Sequence, residues 1–181
     1  MLVIAFGACL ALQGQARADG DKPNTPTCPP GQVYDSRTMH CVPQQAGVLP
    51  DKDLAQYAFA LATAGRYREA LGVLDLLRDP NTAVALNYRG YATRKLGRLD
   101  EGIGYYLRSV ALDPHYAQVR EYLGEAYVLK GDMASAHAQL AAIETICGTG
   151  CDAYEHLAEA ITEGPSACGS RYAEKRCASR G

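Results

Sequence analysis

Cysteine is the residue type that offers most chemistry in this sequence, because paired thiols can form disulfides, exchange electrons or bind a metal. The chain has seven cysteines, and all except Cys9 follow residue 18. An even number of cysteines in an exported chain predicts disulfides, although six allow many pairings. Their order along the chain favours pairing between nearest neighbours. The predicted pairs are Cys28 with Cys41, Cys147 with Cys151, and Cys168 with Cys177.

The segment from Cys147 to Cys151 is where redox or metal chemistry is most plausible. Three residues separate these cysteines, rather than the two of thioredoxin-like motifs, and His156 follows nearby as a third candidate ligand. Cysteine pairs in exported proteins are mostly structural, so we expect a disulfide here. A small redox or metal-handling protein that uses this turn is the alternative.

Other catalytic patterns are missing from the sequence. The four histidines do not have metalloprotease spacing, and no nucleophile elbow, phosphate-binding loop or dinucleotide fingerprint is present. The formal charge of −2 argues against nucleic acid as the main partner. We therefore predict a protein that is not an enzyme and that needs neither a metal nor a cofactor.

The first 18 residues resemble a secretion signal. The apolar run Leu2–Leu12 is too short to span a bilayer, and Ala16–Ala18 supplies the small-x-small pattern that signal peptidase accepts. We expect cleavage after Ala18, which leaves no integral membrane segment in a mature chain that begins at Asp19. Lipidation of Cys9 is the alternative. The predicted location is the periplasm or the extracellular space, where disulfides persist.

Residues 19–50 form a proline-rich arm. Within it, Gln32–Tyr34 is predicted to be a short strand, and His40–Val42 follows a turn at Asp35–Arg37. A Cys28–Cys41 bridge would close this loop and constrain the unfolded chain by about 3 kcal/mol in the entropy model. We expect a stapled hairpin that orders an otherwise loose arm, and a separate recognition module is the alternative.

Two amphipathic helical patterns follow each other in residues 83–116, meet at Gly97, and end at Asp113-Pro114. The same spacing of apolar and small residues returns from Ala117. This unit resembles the tetratricopeptide repeat, a helix-turn-helix unit of 34 residues. The resemblance implies repeats at 51–82, 83–116 and 117–150, with a capping helix at 151–163. A basic, cysteine-containing tail follows at 164–181. In the first repeat the apolar positions predict a second helix that reaches Leu77.

Glycines occupy two kinds of place in this pattern. Gly65, Gly97 and Gly131 are expected to end the first helix of each pair in a left-handed conformation. Gly102 stands where the family has a small residue for close helix approach, whereas the pattern does not explain Gly104.

In the family, the first helix of each repeat lines a concave groove through its second, fifth, ninth and twelfth residues. Carried onto this chain, the resemblance implies a partner-binding groove made by Val84, Asn87, Tyr91, Arg94, Gln118, Glu121, Glu125 and Val128. One subgroup grips a terminal carboxylate with Lys, Asn and Arg at set places. Those places here hold Ala55, Phe59, Tyr88, Gln118 and Tyr122, so that ligand is not expected.

The sequence as a whole predicts an all-α protein, a tetratricopeptide-like α-α superhelix with cysteine-stapled arms at both ends. Its expected function is non-catalytic binding of a protein or peptide partner that carries an apolar anchor and a basic residue. Self-association of the repeats end to end is a further hypothesis.

Overall fold

A computed structural model describes residues 25–47 and 49–165 of the 181-residue chain. The predicted signal sequence and the predicted Cys168–Cys177 pair lie outside these residues. The described chain begins with two strands, β1 (Gln32–Asp35) and β2 (His40–Pro43). Seven helices follow: α1 (Asp51–Thr63), α2 (Tyr67–Leu74), α3 (Ala83–Lys95), α4 (Leu99–Leu112), α5 (Ala117–Lys130), α6 (Met133–Cys147) and α7 (Asp152–Glu163). The described protein is therefore mostly helical, as predicted.

The strands form an antiparallel hairpin in which Val33 pairs with Val42. A disulfide joins Cys28 to Cys41, across the base of the hairpin, as the order of the cysteines predicts. Asp35 orders the turn, since its carboxylate accepts a hydrogen bond from the Arg37 backbone N–H at 3.0 Å. Both predicted strands and the turn between them are confirmed.

The hairpin does not stand apart from the helices. Val33 and Cys28 are fully buried in the main core with residues of α1 and α2. The Cys28 backbone N–H donates to the Tyr57 hydroxyl at 2.8 Å, and the Arg66 guanidinium donates to the Cys28 carbonyl at 2.6 Å. The stapled hairpin is therefore present as expected. It also covers the first helix pair, which the sequence did not predict, because its inward face adds apolar surface to a larger core.

The helices form successive antiparallel pairs, α1 with α2, α3 with α4 and α5 with α6. Gly65, Gly97 and Gly131 follow the first helix of each pair with φ of 80°, 87° and 81°. This is the left-handed region in which a side chain is costly, so the predicted role of these glycines is confirmed. The tight turns bring the second helix of each pair back against the first.

The first pair has a shorter second helix than predicted. Helix α2 ends at Leu74, although Leu77 is still buried. The chain beyond it is held by the Asp51 carboxylate, which accepts hydrogen bonds from the backbone N–H groups of Arg78 at 3.2 Å and Asp79 at 2.9 Å. These contacts join the start of α1 to the connection with α3.

Small residues allow α3 and α4 to approach closely. A Cβ at Gly90 would lie 2.7 Å from the Tyr106 ring, and one at Gly102 would lie 3.0 Å from the Arg94 Cβ. The expectation for Gly102 is confirmed, whereas a Cβ at Gly104 would meet nothing. This close approach buries Tyr106 completely.

Helix α7 packs on α5 and α6 after the third pair, at the position predicted for a capping helix. Its Leu157 is fully buried, and a Cβ at Gly124 of α5 would overlap the Leu157 side chain. Leu157, Ala153 and Ile143 form a small core cluster of their own, apart from the main core. The C-terminal end of the helical stack is thus closed by one helix over a local apolar contact.

Candidate functional site

The eight predicted groove residues lie on α3 and α5, but they differ in accessibility. Val84 is 41 % exposed and Gln118 is half-buried, and each stands near the N-terminus of its helix. The remaining six are buried: Asn87, Tyr91, Arg94, Glu121, Glu125 and Val128. A partner could therefore reach the predicted face at the helix N-termini, whereas its middle is occupied by contacts within the chain.

Arg94 of α3 and Glu125 of α5 form a buried ion pair. Their side chains are 4 % and 6 % exposed, and Arg94 Nη2 lies 2.8 Å from Glu125 Oε2. The Arg94 guanidinium carbon also lies 5.8 to 6.0 Å from the ring centroids of Tyr91, Tyr106 and Tyr122. Two charges without water need such partners, since desolvation costs several kcal/mol per ion.

Glu121 is the second buried carboxylate on this face, one turn before Glu125. Its Oε1 lies 3.0 Å from Nδ1 of His156 on α7, and the Glu121 side chain is 6 % exposed. Burial raises the pKa of Glu121 to about 7, although the hydrogen bond with His156 lowers it, and the charge of Glu125 raises it further. The pKa of the Glu121 carboxyl is therefore close to neutral pH. The carboxyl lies at the contact between helices α5 and α7.

Five aromatic side chains are in contact with one another, four on the first helices of the pairs and one on α4. We call them the aromatic row: Phe59, Tyr88, Tyr91, Tyr106 and Tyr122. The Phe59 and Tyr88 rings stack at 4.5 Å between centroids. These two rings are partly exposed, whereas the other three are buried. The row joins α1, α3, α4 and α5 and presents an apolar surface at one end only.

Amide and phenol groups connect the accessible end of α3 to that of α5. The Asn87 Nδ2 donates to the Tyr116 hydroxyl at 3.1 Å and to Gln118 Oε1 at 3.2 Å. The Tyr116 hydroxyl donates to the same Gln118 oxygen at 2.9 Å. Burial raises the pKa of Tyr116 above its usual value. These contacts fix Gln118 in place, so it is a preorganised polar group beside the aromatic row.

Cys147 and Cys151 are joined by a disulfide, as the sequence predicts. The bridge connects the last residue of α6 to the residue before α7. In residues 25–47 and 49–165, no three His, Cys, Asp or Glu side chains are grouped so that they could hold a metal ion. His156, the third candidate ligand, contacts Glu121 instead. The two disulfides place the chain in an oxidising, non-cytoplasmic environment.

Sequence reasoning missed two features of this region. It did not connect His156 with Glu121, although the repeat spacing puts His156 on the first helix of a fourth unit, beside α5. It also treated Tyr88 and Tyr122 only as departures from a ligand set. The aromatic identity of these positions was the available signal, because rings at matching places of successive helices come into contact.

None of the helices in the described part of the chain has the length and apolar character of a membrane-spanning helix. Comparison with protein-family models and with curated proteins gives no match for this chain.

Proposed function

We propose that this chain is an exported, non-catalytic scaffold of the tetratricopeptide-repeat type, which binds a segment of a partner protein on the face made by its first helices. Three successive helix pairs with left-handed glycines at their turns support this proposal. So does the single closing helix, because stacked repeats require a capped end.

One observation carries the choice of binding face. Val84 and Tyr88 are four residues apart on α3, so they share one helix face, and Tyr88 stacks on Phe59 of α1. Val84, Tyr88 and Phe59 together form a partly exposed apolar strip, which continues into the buried rings of the aromatic row. We call these three residues the entry strip. Rigid rings that are anchored in a core lose little freedom on binding, which favours contact with an apolar side chain.

The partner that we propose is a protein segment with an apolar anchor, which lies on the entry strip beside the Gln118 amide. Glu121 and Glu125 are paired within the chain, so the rings, and not these acids, form the proposed contact with the partner's anchor. Hydrophobic anchors are the usual centres of such interfaces.

The test is site-specific photo-crosslinking in the producing cell. A photoreactive amino acid replaces Val84 in one variant and Leu107 of α4 in the control. These two side chains are similarly exposed, at 41 % and 47 %. We expect a crosslinked protein from position 84 and none from position 107. Equal products from both positions, or a product from position 107 alone, would contradict the proposed face. A product of twice the chain's mass would indicate self-association.

We further propose that the mature chain begins at Asp19 and acts in the periplasm or the extracellular space. N-terminal sequencing of the protein recovered from outside the cytoplasm should give Asp19 first. Recovery of an intact Met1, or of a lipid on Cys9, would contradict this proposal.

A further inference from the structure

Helix α7 is held on the stack by a small apolar cluster, in which Tyr154 and Ile161 are only partly buried. Leu157 is fully buried against Gly124, and Ala153 is 9 % exposed, whereas the other residues of the helix are half-buried or exposed. Its core cluster is separate from the main core. Elements with small apolar contacts open more readily than the rest of a protein. A change in one polar contact can therefore shift the equilibrium between docked and undocked α7.

The polar contact in question joins Glu121 of α5 to His156 of α7. The other ionisable groups that face Glu121 are Glu125 on its own helix, and Arg94 and Tyr91 on α3. Arg94 is already paired with Glu125 at 2.8 Å. Burial raises the pKa of Tyr91 to about 12, so its phenol stays neutral in the physiological range.

We propose that the Glu121–His156 contact is a proton-linked latch of the C-terminal cap: α7 docks with a proton held between carboxyl and imidazole, and docking weakens when that proton leaves. The latch rests on the position of the contact. It lies at the interface of α5 and α7, where the Glu121 side chain is only 6 % exposed.

The direction of the effect follows from linkage. The pKa of the docked Glu121 carboxyl is about 7, above its ordinary value of 4.5. A group with a raised pKa stabilises the docked state fully below its ordinary pKa, and this contribution is lost as the pH rises through the raised value. Docking should therefore weaken between pH 5.5 and pH 8.5.

The test is hydrogen exchange on the intact, disulfide-bonded protein at pH 5.5 and pH 8.5, corrected for the intrinsic effect of pH on amide exchange. Protection of α7 should fall by roughly tenfold between these pH values, relative to protection of α3 in the same molecules. In the Glu121→Gln variant, which keeps the shape of the side chain but cannot ionise, this fall should disappear.

A Glu155→Gln variant is the matched control, because Glu155 is an exposed carboxylate on α7 itself. In this variant the protection of α7 should still fall between pH 5.5 and pH 8.5. Protection of α7 that is constant or rises with pH in the unmodified protein would overturn the latch, whether or not the variants fold. A fall that persists in Glu121→Gln would assign the proton to another group, and this would overturn it as well.

Discussion

The buried pair of Arg94 and Glu125 should behave as a strongly coupled unit. Removal of one partner leaves the other charge buried without its ion-pair partner. We therefore expect Glu125→Leu alone, or Arg94→Met alone, to lower the free energy of unfolding by about 3 to 5 kcal/mol. That is a large part of the 5 to 15 kcal/mol or so that a domain has in total.

The double variant should differ sharply from the sum of the single variants. Met and Leu have volumes close to those of Arg and Glu without their desolvation cost, so the double change should be near neutral or stabilising. Within the described residues, Nε of Arg94 and Oε1 of Glu125 have no hydrogen-bond partner, so the double variant loses few polar contacts. The coupling energy from the cycle should exceed about 4 kcal/mol in magnitude.

The assay is urea unfolding of the disulfide-bonded protein, followed by far-ultraviolet circular dichroism, with the slope checked in every variant. The control is Glu101→Gln, because Glu101 pairs with Arg98 at the surface, where both side chains are nearly half exposed. That change should stay within about 0.5 kcal/mol. Single variants that cost less than about 1 kcal/mol, or a double variant that costs the sum of the two, would refute the reasoning.

Three further predictions concern the C-terminal end of the chain. Gly124→Ala should displace Leu157 and lower hydrogen-exchange protection in α7, while protection in α3 stays unchanged. Equal losses of protection in both helices would argue against a separate cap. Cys147→Ser should ease the opening of α7 by about 2 kcal/mol, the entropy that closure of so short a loop removes. Unchanged protection of α7 in this variant would show that the bridge does not hold it. Non-reducing peptide mapping should find Cys168 joined to Cys177, and a bridge from either residue to another segment would show that the tail is not closed on itself.

Much of the backbone could be predicted from the sequence because local rules determine it. Gly97 and Gly131 take up the left-handed turn that the helical patterns require, and the two observed disulfides join nearest neighbours. The strands on either side of Asp35–Arg37 follow from turn residues in the same way. Each of these features depends on residues that are close together in the chain.

Features that depend on distant residues could not be predicted. Asp51 receives hydrogen bonds from the connection after α2, and nothing near Leu74 in the sequence indicates that the helix ends there. The repeat spacing identifies the face on which Glu121 and Glu125 lie, but not the depth at which they are buried. That depth is set by the aromatic rings and by α7, which other parts of the chain contribute.

The two observed disulfides have a consequence for the order in which the protein matures. They join cysteines only 13 and 4 residues apart, and no helix of the stack separates the two members of either pair. A chain that crosses a membrane from its N-terminus would expose each pair almost at once, so each bridge can form before the next cysteine emerges. Oxidation would then proceed in sequence order, and the N-terminal hairpin would be closed before α1 is available to pack against it.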